Sequence, residues 1–94
     1  MIELCCLLWA RPGCEAGLHA YEDRVLTLVE SHGGRVISRA IGDGSDDRPH
    51  EVQLFGFESQ AALDAYLADP LRVELSDERE RVVARTDLFP VTIT

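Results

Sequence analysis

Five side chains of this 94-residue sequence are of types that do chemistry when they converge: Trp9, Arg39, His50, Glu51 and Arg85. An arginine clamps an oxyanion with parallel N–H donors, and a histidine or carboxylate beside it can accept a proton. A cleft that gathered these groups would bind a small anionic or oxygenated organic molecule. In that arrangement Arg39 is the anion clamp, His50 or Glu51 the catalytic proton acceptor, and Trp9 and Arg85 further ligand-binding contacts. Each residue also has a plainer role open to it. His50 follows Pro49 at a loop-to-strand junction and could be solvated, Glu51 could pair with an edge arginine, and Trp9 could be a core or interface aromatic.

Charge narrows the partners. Seventeen acidic residues against nine basic ones leave a formal net charge of −8, which repels phosphate backbones and anionic lipid, so neither nucleic acid nor a membrane is expected. All nine basic residues are arginine, which excludes a Schiff-base lysine. The cysteines at 5, 6 and 14 lack the paired spacing of a disulfide framework or a zinc site. Cys5 and Cys6, neighbours on a strand, should point to opposite faces as small buried hydrophobes. No Gly-rich phosphate loop and no metal-ligand spacing occurs, so no cofactor and no metal are expected. The apolar start, Met1 to Ala10, carries Glu3 where an export signal would be positive and is too short to cross a bilayer, which points to a cytoplasmic protein.

The elements that must position these groups follow from periodicity, and a chain of this length is expected to form one domain over residues 1–94. An apolar strand runs from Ile2 to Ala10. The 3–4 spacing of Leu18, Tyr21, Val25, Leu28 and Val29 predicts a helix over 14–31, ended by Gly33. His19 falls on its polar face, four residues before Asp23, and reads as a solvated contact. Strands at 35–41 and 50–57 form a hairpin whose loop, Gly42 to Pro49, is rich in turn formers but lacks calcium-loop spacing. Ser59 caps a second helix, Asp69-Pro70 opens another running to about Arg81, and a last strand is expected over 86–93, with Pro90 marking an edge.

Strand polarity then sets the layout. The two more apolar strands, Ile2 to Ala10 and Val52 to Phe57, belong in the middle, and the strands with Arg35 and Arg39 and with Asp87 and Pro90 at the edges. That is a ferredoxin-like α+β sheet with helices on one face. The first strand is apolar on both alternating sets, so its second face needs a cover, and a second copy of the chain in a homodimer is the simplest one.

Several segments together resemble the DUF1330 family of the dimeric α/β-barrel superfamily. They are Tyr21-Glu22, His32-Gly33-Gly34-Arg35 with Ser38-Arg39, Phe57-Glu58-Ser59, Ala62-Leu63-Asp64-Ala65-Tyr66 and Asp69-Pro70. The resemblance implies a ferredoxin-like protomer whose sheet packs on its mate's to form a barrel, and it brings no settled activity. Relatives in the superfamily include antibiotic-biosynthesis and haem-degrading monooxygenases and muconolactone isomerases. The Asn-Trp-His set of the haem degraders has no counterpart here, because the sequence contains no asparagine.

Two functions from different classes follow. One is a binding module that holds a small organic molecule in a sheet–helix cleft. The other is a cofactor-independent enzyme, a monooxygenase or an isomerase. An open cleft with Arg39 or His50 turned inward favours the enzyme, and a cleft filled by Phe55, Phe57 and Tyr66 favours the module.

Overall fold

The computed structural model describes residues 1–94. Its elements in chain order are β1 (Ile2–Ala10), α1 (Glu15–Val25), β2 (Gly34–Ile41), β3 (Glu51–Phe57), α2 (Gln60–Leu67), α3 (Pro70–Glu74), α4 (Ser76–Val82) and β4 (Val83–Pro90). The four strands form one antiparallel sheet in the order β2-β3-β1-β4. The apolar strands are therefore central and the polar ones are at the edges, and the fold is α+β and ferredoxin-like. The extents of 35 × 33 × 16 Å are those of two layers, a sheet and one layer of helices.

Alternation along the strands builds the core. Leu4, Cys6, Leu8 and Ala10 of β1 and Phe55 and Phe57 of β3 face the helices, where they meet Leu18, Tyr21 and Val25 of α1 and Leu63 and Tyr66 of α2. The other set, Cys5, Leu7 and Trp9 with Val52 and Leu54, lies on the helix-free face. Cys5 and Cys6 thus point to opposite faces, and both thiols are free and buried.

Three boundaries differ from the sequence expectation. The helix expected over 14–31 is regular only to Val25 and continues as two single 3₁₀ turns, Leu26–Leu28 and Glu30–His32. Thr27 donates its hydroxyl to the Arg24 carbonyl at 2.6 Å, a local bond that competes with the regular ladder. Gly33 closes the segment at φ 72°, and a Cβ on Gly34 would strike the Phe57 ring at 2.7 Å, so the Gly-Gly pair lets the chain turn and then pass close to β3. The last strand begins at Val83 rather than residue 86, because it pairs along nearly all of β1, from Leu4↔Pro90 to Ala10↔Val83. It ends at Pro90, and the tail is held instead by Glu3, whose backbone carbonyl accepts from Val91 N–H and whose carboxylate accepts from Ile93 N–H. The helical segment after Asp69 is split into α3 and α4 at Leu75. Both expected caps form: Ser59 Oγ accepts from Ala62 N–H at 3.1 Å, and Asp69 Oδ1 from Leu71 N–H at 2.8 Å. No helix is long and apolar enough to cross a membrane.

Candidate functional site

The helix-facing side of the sheet carries a line of polar side chains whose direction is set by backbone geometry. On β3, Glu51, Gln53, Phe55 and Phe57 share one face by simple alternation. On β2, strict alternation from Val36 would turn Arg39 to the opposite face. A bulge between Val36 and Ser38 shifts the register by one residue, so that Arg39 lies beside Gln53 on the helix side.

There Arg39 meets Glu51, which is 0% exposed. Arg39 Nε donates to Glu51 Oε1 at 2.7 Å and Nη2 to Oε2 at 2.8 Å, a bidentate clamp. The remaining acceptor sites of Glu51 take His19 Nδ1 at 2.6 Å and Gln53 Nε2 at 3.0 Å. Arg39 Nη1 also reaches Asp23 Oδ1 at 2.6 Å, and Nη2 donates to the His19 carbonyl. Burial pushes the Glu51 carboxyl up, but the hydrogen bonds from Arg39, His19 and Gln53 outweigh it, so its pKa lies below the ordinary value. Arg39 is raised in turn, chiefly by its bonds to Glu51. His19, expected to be solvated, is instead half-buried against this carboxylate, because α1 crosses the sheet with that edge turned toward β3.

Gln53, 1% exposed, links this cluster to a second one. Its amide donates to Glu51 and also to Glu22 Oε1 at 2.7 Å. Glu22 is 5% exposed and lines a cavity of about 170 Å³ between the sheet and α1–α4. Burial holds the Glu22 carboxyl above its ordinary pKa, against the lowering bond from Gln53, and the nearby Glu51 charge adds to the rise. The apolar wall is Leu8, Phe55, Leu67 and Leu88, with Cys6, whose thiol is pushed up to about 12 mainly by burial and so stays protonated.

The rest of the lining is Gln53, Tyr66 and Thr86 with two cationic groups, Arg72 of α3 and Arg79 of α4. Arg72 stacks on the Tyr66 ring with its Cζ 5.1 Å from the centroid, and Arg79 Nη2 donates to Thr86 Oγ1 at 3.0 Å. Arg72 Nε is buried without an acceptor, as is the Tyr21 hydroxyl. A buried donor left in that state costs about 1–3 kcal/mol.

The five residues singled out from sequence are not brought together. Arg39 and Glu51 form the ion pair just described, beside the cavity and outside its lining. His50 lies at the end of β1, where its Nδ1 accepts the Ala10 N–H at 3.0 Å, a donor left over where the pairing of β1 with β3 stops at Leu8↔Glu51. Trp9 and Arg85 are on the helix-free face. The Arg85 Cζ sits 4.3 Å from the Trp9 ring centroid, Trp9 Nε1 donates to the Asp47 carbonyl, and Arg85 pairs with Asp87. The cavity residues Glu22, Gln53, Arg72 and Arg79 were not singled out. Glu22 had a signal, since Leu18, Tyr21, Glu22 and Val25 occupy one 3–4 stripe, which puts a carboxylate in an apolar row. The arginines of α3 and α4 had none. Nowhere do three or more His, Cys, Asp or Glu side chains group as a metal site.

No family model matches the sequence, and no curated protein matches it. Solved structures do. A protein of unknown function from Rhodopseudomonas palustris is 21% identical with a TM-score of 0.79, covering 99% of this chain and 82% of its own. A candidate antibiotic biosynthesis monooxygenase from Bacteroides thetaiotaomicron is 16% identical with a TM-score of 0.74, covering 98% and 88%. A NIPSNAP family protein of unknown function from Agrobacterium tumefaciens is 11% identical with a TM-score of 0.76, covering 97% and 86%. At these identities the likeness is one of fold: the chain has the ferredoxin-like architecture that these proteins share.

Proposed function

We propose that this protein binds a small organic molecule in the cavity between its sheet and its helices. The observation that carries the reading is the polar wall of that cavity, where Glu22 and Gln53 face two arginines, Arg72 and Arg79, that have no carboxylate partner. Size agrees, since a cavity of about 150 Å³ holds benzene in an engineered protein. Phe55, Phe57 and Tyr66 fill much of the cleft, as in a binding module, yet leave this space open. A thermal-shift screen of small acids, amides and phenols tests it: a rise in Tm of several degrees with at least one class is expected, and no rise with any of them overturns it.

The reading extends to a cytoplasmic homodimer of the DUF1330 kind. The helix-free face supports the dimer, with half-buried Leu7, Trp9, Val52 and Leu54 at its centre and Arg35, Arg85 and Asp87 toward its edges, an apolar patch with a charged rim. Sedimentation equilibrium should give twice the chain mass, and Leu7→Glu should give the monomer mass.

A second reading, proton transfer in a cofactor-free isomerase, is favoured by Glu22. Its carboxyl is buried at the cavity and raised above its ordinary value by that burial, the direction that suits a proton-transfer group. Deuterium exchange into a bound enolisable ligand, lost in Glu22→Gln, is the outcome expected of it. The monooxygenase alternative draws only on the shared fold.

A further inference from the structure

The cavity contains a mismatch of charge. Carboxylates outnumber guanidiniums seventeen to nine in this chain, and Arg24, Arg39, Arg48 and Arg85 each have a carboxylate partner. The other five have none: Arg11, Arg35 and Arg81 are exposed to solvent, and Arg72 and Arg79 line the cavity. Arg72 and Arg79 are held in place by a tyrosine face and a threonine hydroxyl, contacts that orient a guanidinium without neutralising it. The carboxylate that shares their cavity, Glu22, forms no ion pair with either of them. It spends one oxygen on Gln53, and its burial favours the neutral form. The cavity wall is thus net positive in a strongly negative protein.

The free donor has a particular geometry. Bidentate recognition of a carboxylate uses two parallel N–H groups on one edge of the guanidinium fork, and Nε supplies one of them on its own edge. In Arg39 that edge is taken by Glu51, through Nε and Nη2. The same edge of Arg85 meets Asp87 through Nε at 3.5 Å and Nη2 at 2.9 Å, whereas the buried Arg72 Nε has no acceptor within the chain.

We propose that the cavity takes a small organic acid as its anion, with the carboxylate held by the guanidinium charges of Arg72 and Arg79, which have no carboxylate partner in the chain, and the apolar body of the molecule against Leu8, Phe55 and Leu88. The inference rests on the small-molecule reading of the cavity and adds the charge of the ligand. A molecule of benzoate size suits the volume of about 170 Å³, and a longer acid would project from the mouth.

The test compares benzoate with benzamide, which has nearly the same shape and no charge, by NMR titration of the wild-type protein and of Arg72→Met. Methionine keeps the apolar stem and removes the donors. Benzoate is expected to bind at least tenfold more tightly than benzamide. Arg72→Met should lose at least tenfold in benzoate affinity and change benzamide affinity less than twofold. Benzamide binding as tightly as benzoate overturns the proposal while leaving the small-molecule reading in place, and it needs no variant to be seen. Arg72→Met that melts like wild type and binds benzoate unchanged overturns it as well. Failure of both probes to perturb the cavity resonances removes the small-molecule reading, and the charge preference falls with it.

Discussion

Two polar clusters lie on the same face of the sheet, bridged by the Gln53 amide, and they differ in one respect. In the first, Arg39, Glu51, His19 and Asp23 satisfy one another. Glu51 accepts four hydrogen bonds and Arg39 donates four of its five, so the buried carboxylate has nothing left to offer a ligand. In the second, Glu22, Arg72 and Arg79 stand around open space, with Arg72 Nε unsatisfied. The difference teaches that a convergence of arginine, histidine and carboxylate is not by itself a site: what separates scaffold from site here is unused hydrogen-bonding capacity next to a void.

The comparison breaks most visibly if the saturated cluster proves dispensable. Glu51→Gln strands Arg39 and leaves two other donors without their anion, and about 3 kcal/mol of stability should be lost, the lower end for a buried ion pair because Arg39 is partly solvated. Urea unfolding measures it, and a loss below about 1 kcal/mol would mean that the cluster is not a structural unit. With Asp69 and Asp43, which are also lowered, the same carboxyl contributes to the acid limb. Its folded pKa lies below the ordinary 4.5, so its contribution is complete above that value and disappears as pH falls through the lowered one. Acid unfolding of the wild type should therefore be steeper than that of Glu51→Gln.

Smaller effects sharpen the contrast. His19→Ala removes one charge-assisted bond from a half-buried pair, and a loss of about 1–2 kcal/mol is expected in the same assay. Glu22→Gln keeps an acceptor for Gln53 in an isosteric group and should stay within about 1 kcal/mol of wild type near pH 5. Here the sign is reversed. A carboxyl raised on folding favours the native state below its ordinary pKa and loses that advantage as pH rises through the folded value, so the variant should gain on the wild type toward alkaline pH. Arg72→Met should be the smallest, about 0–1 kcal/mol and of either sign, because it removes an unsatisfied donor together with a stacking contact. A large loss there would place Arg72 among the scaffold residues.

Much of the frame was legible from residue order. Apolar runs on both alternating sets made β1 central, Pro90 marked an edge strand, and Ser59 and Asp69 announced helix starts, because each of these signals is local. Boundaries that depended on a partner were missed: β4 starts earlier because β1 offers it a longer ladder, and after Val25 the helix tightens into 3₁₀ turns where Thr27 bonds the Arg24 carbonyl. For the five chosen side chains, residue type carried no information about which face they would share.

By itself, then, the sequence determined the α+β frame, its central and edge strands, the acidic surface and the absence of lysine, since period, composition and capping are properties of short stretches. Only the tertiary structure decided which polar groups meet. One extra residue in β2 turned Arg39 toward Glu51, and the packing of α3 and α4 over the sheet put Arg72 and Arg79 beside Glu22, residues 50 and 57 positions away in the chain. Contacts over such separations depend on register and on how layers pack, and neither is written in the spacing of neighbours.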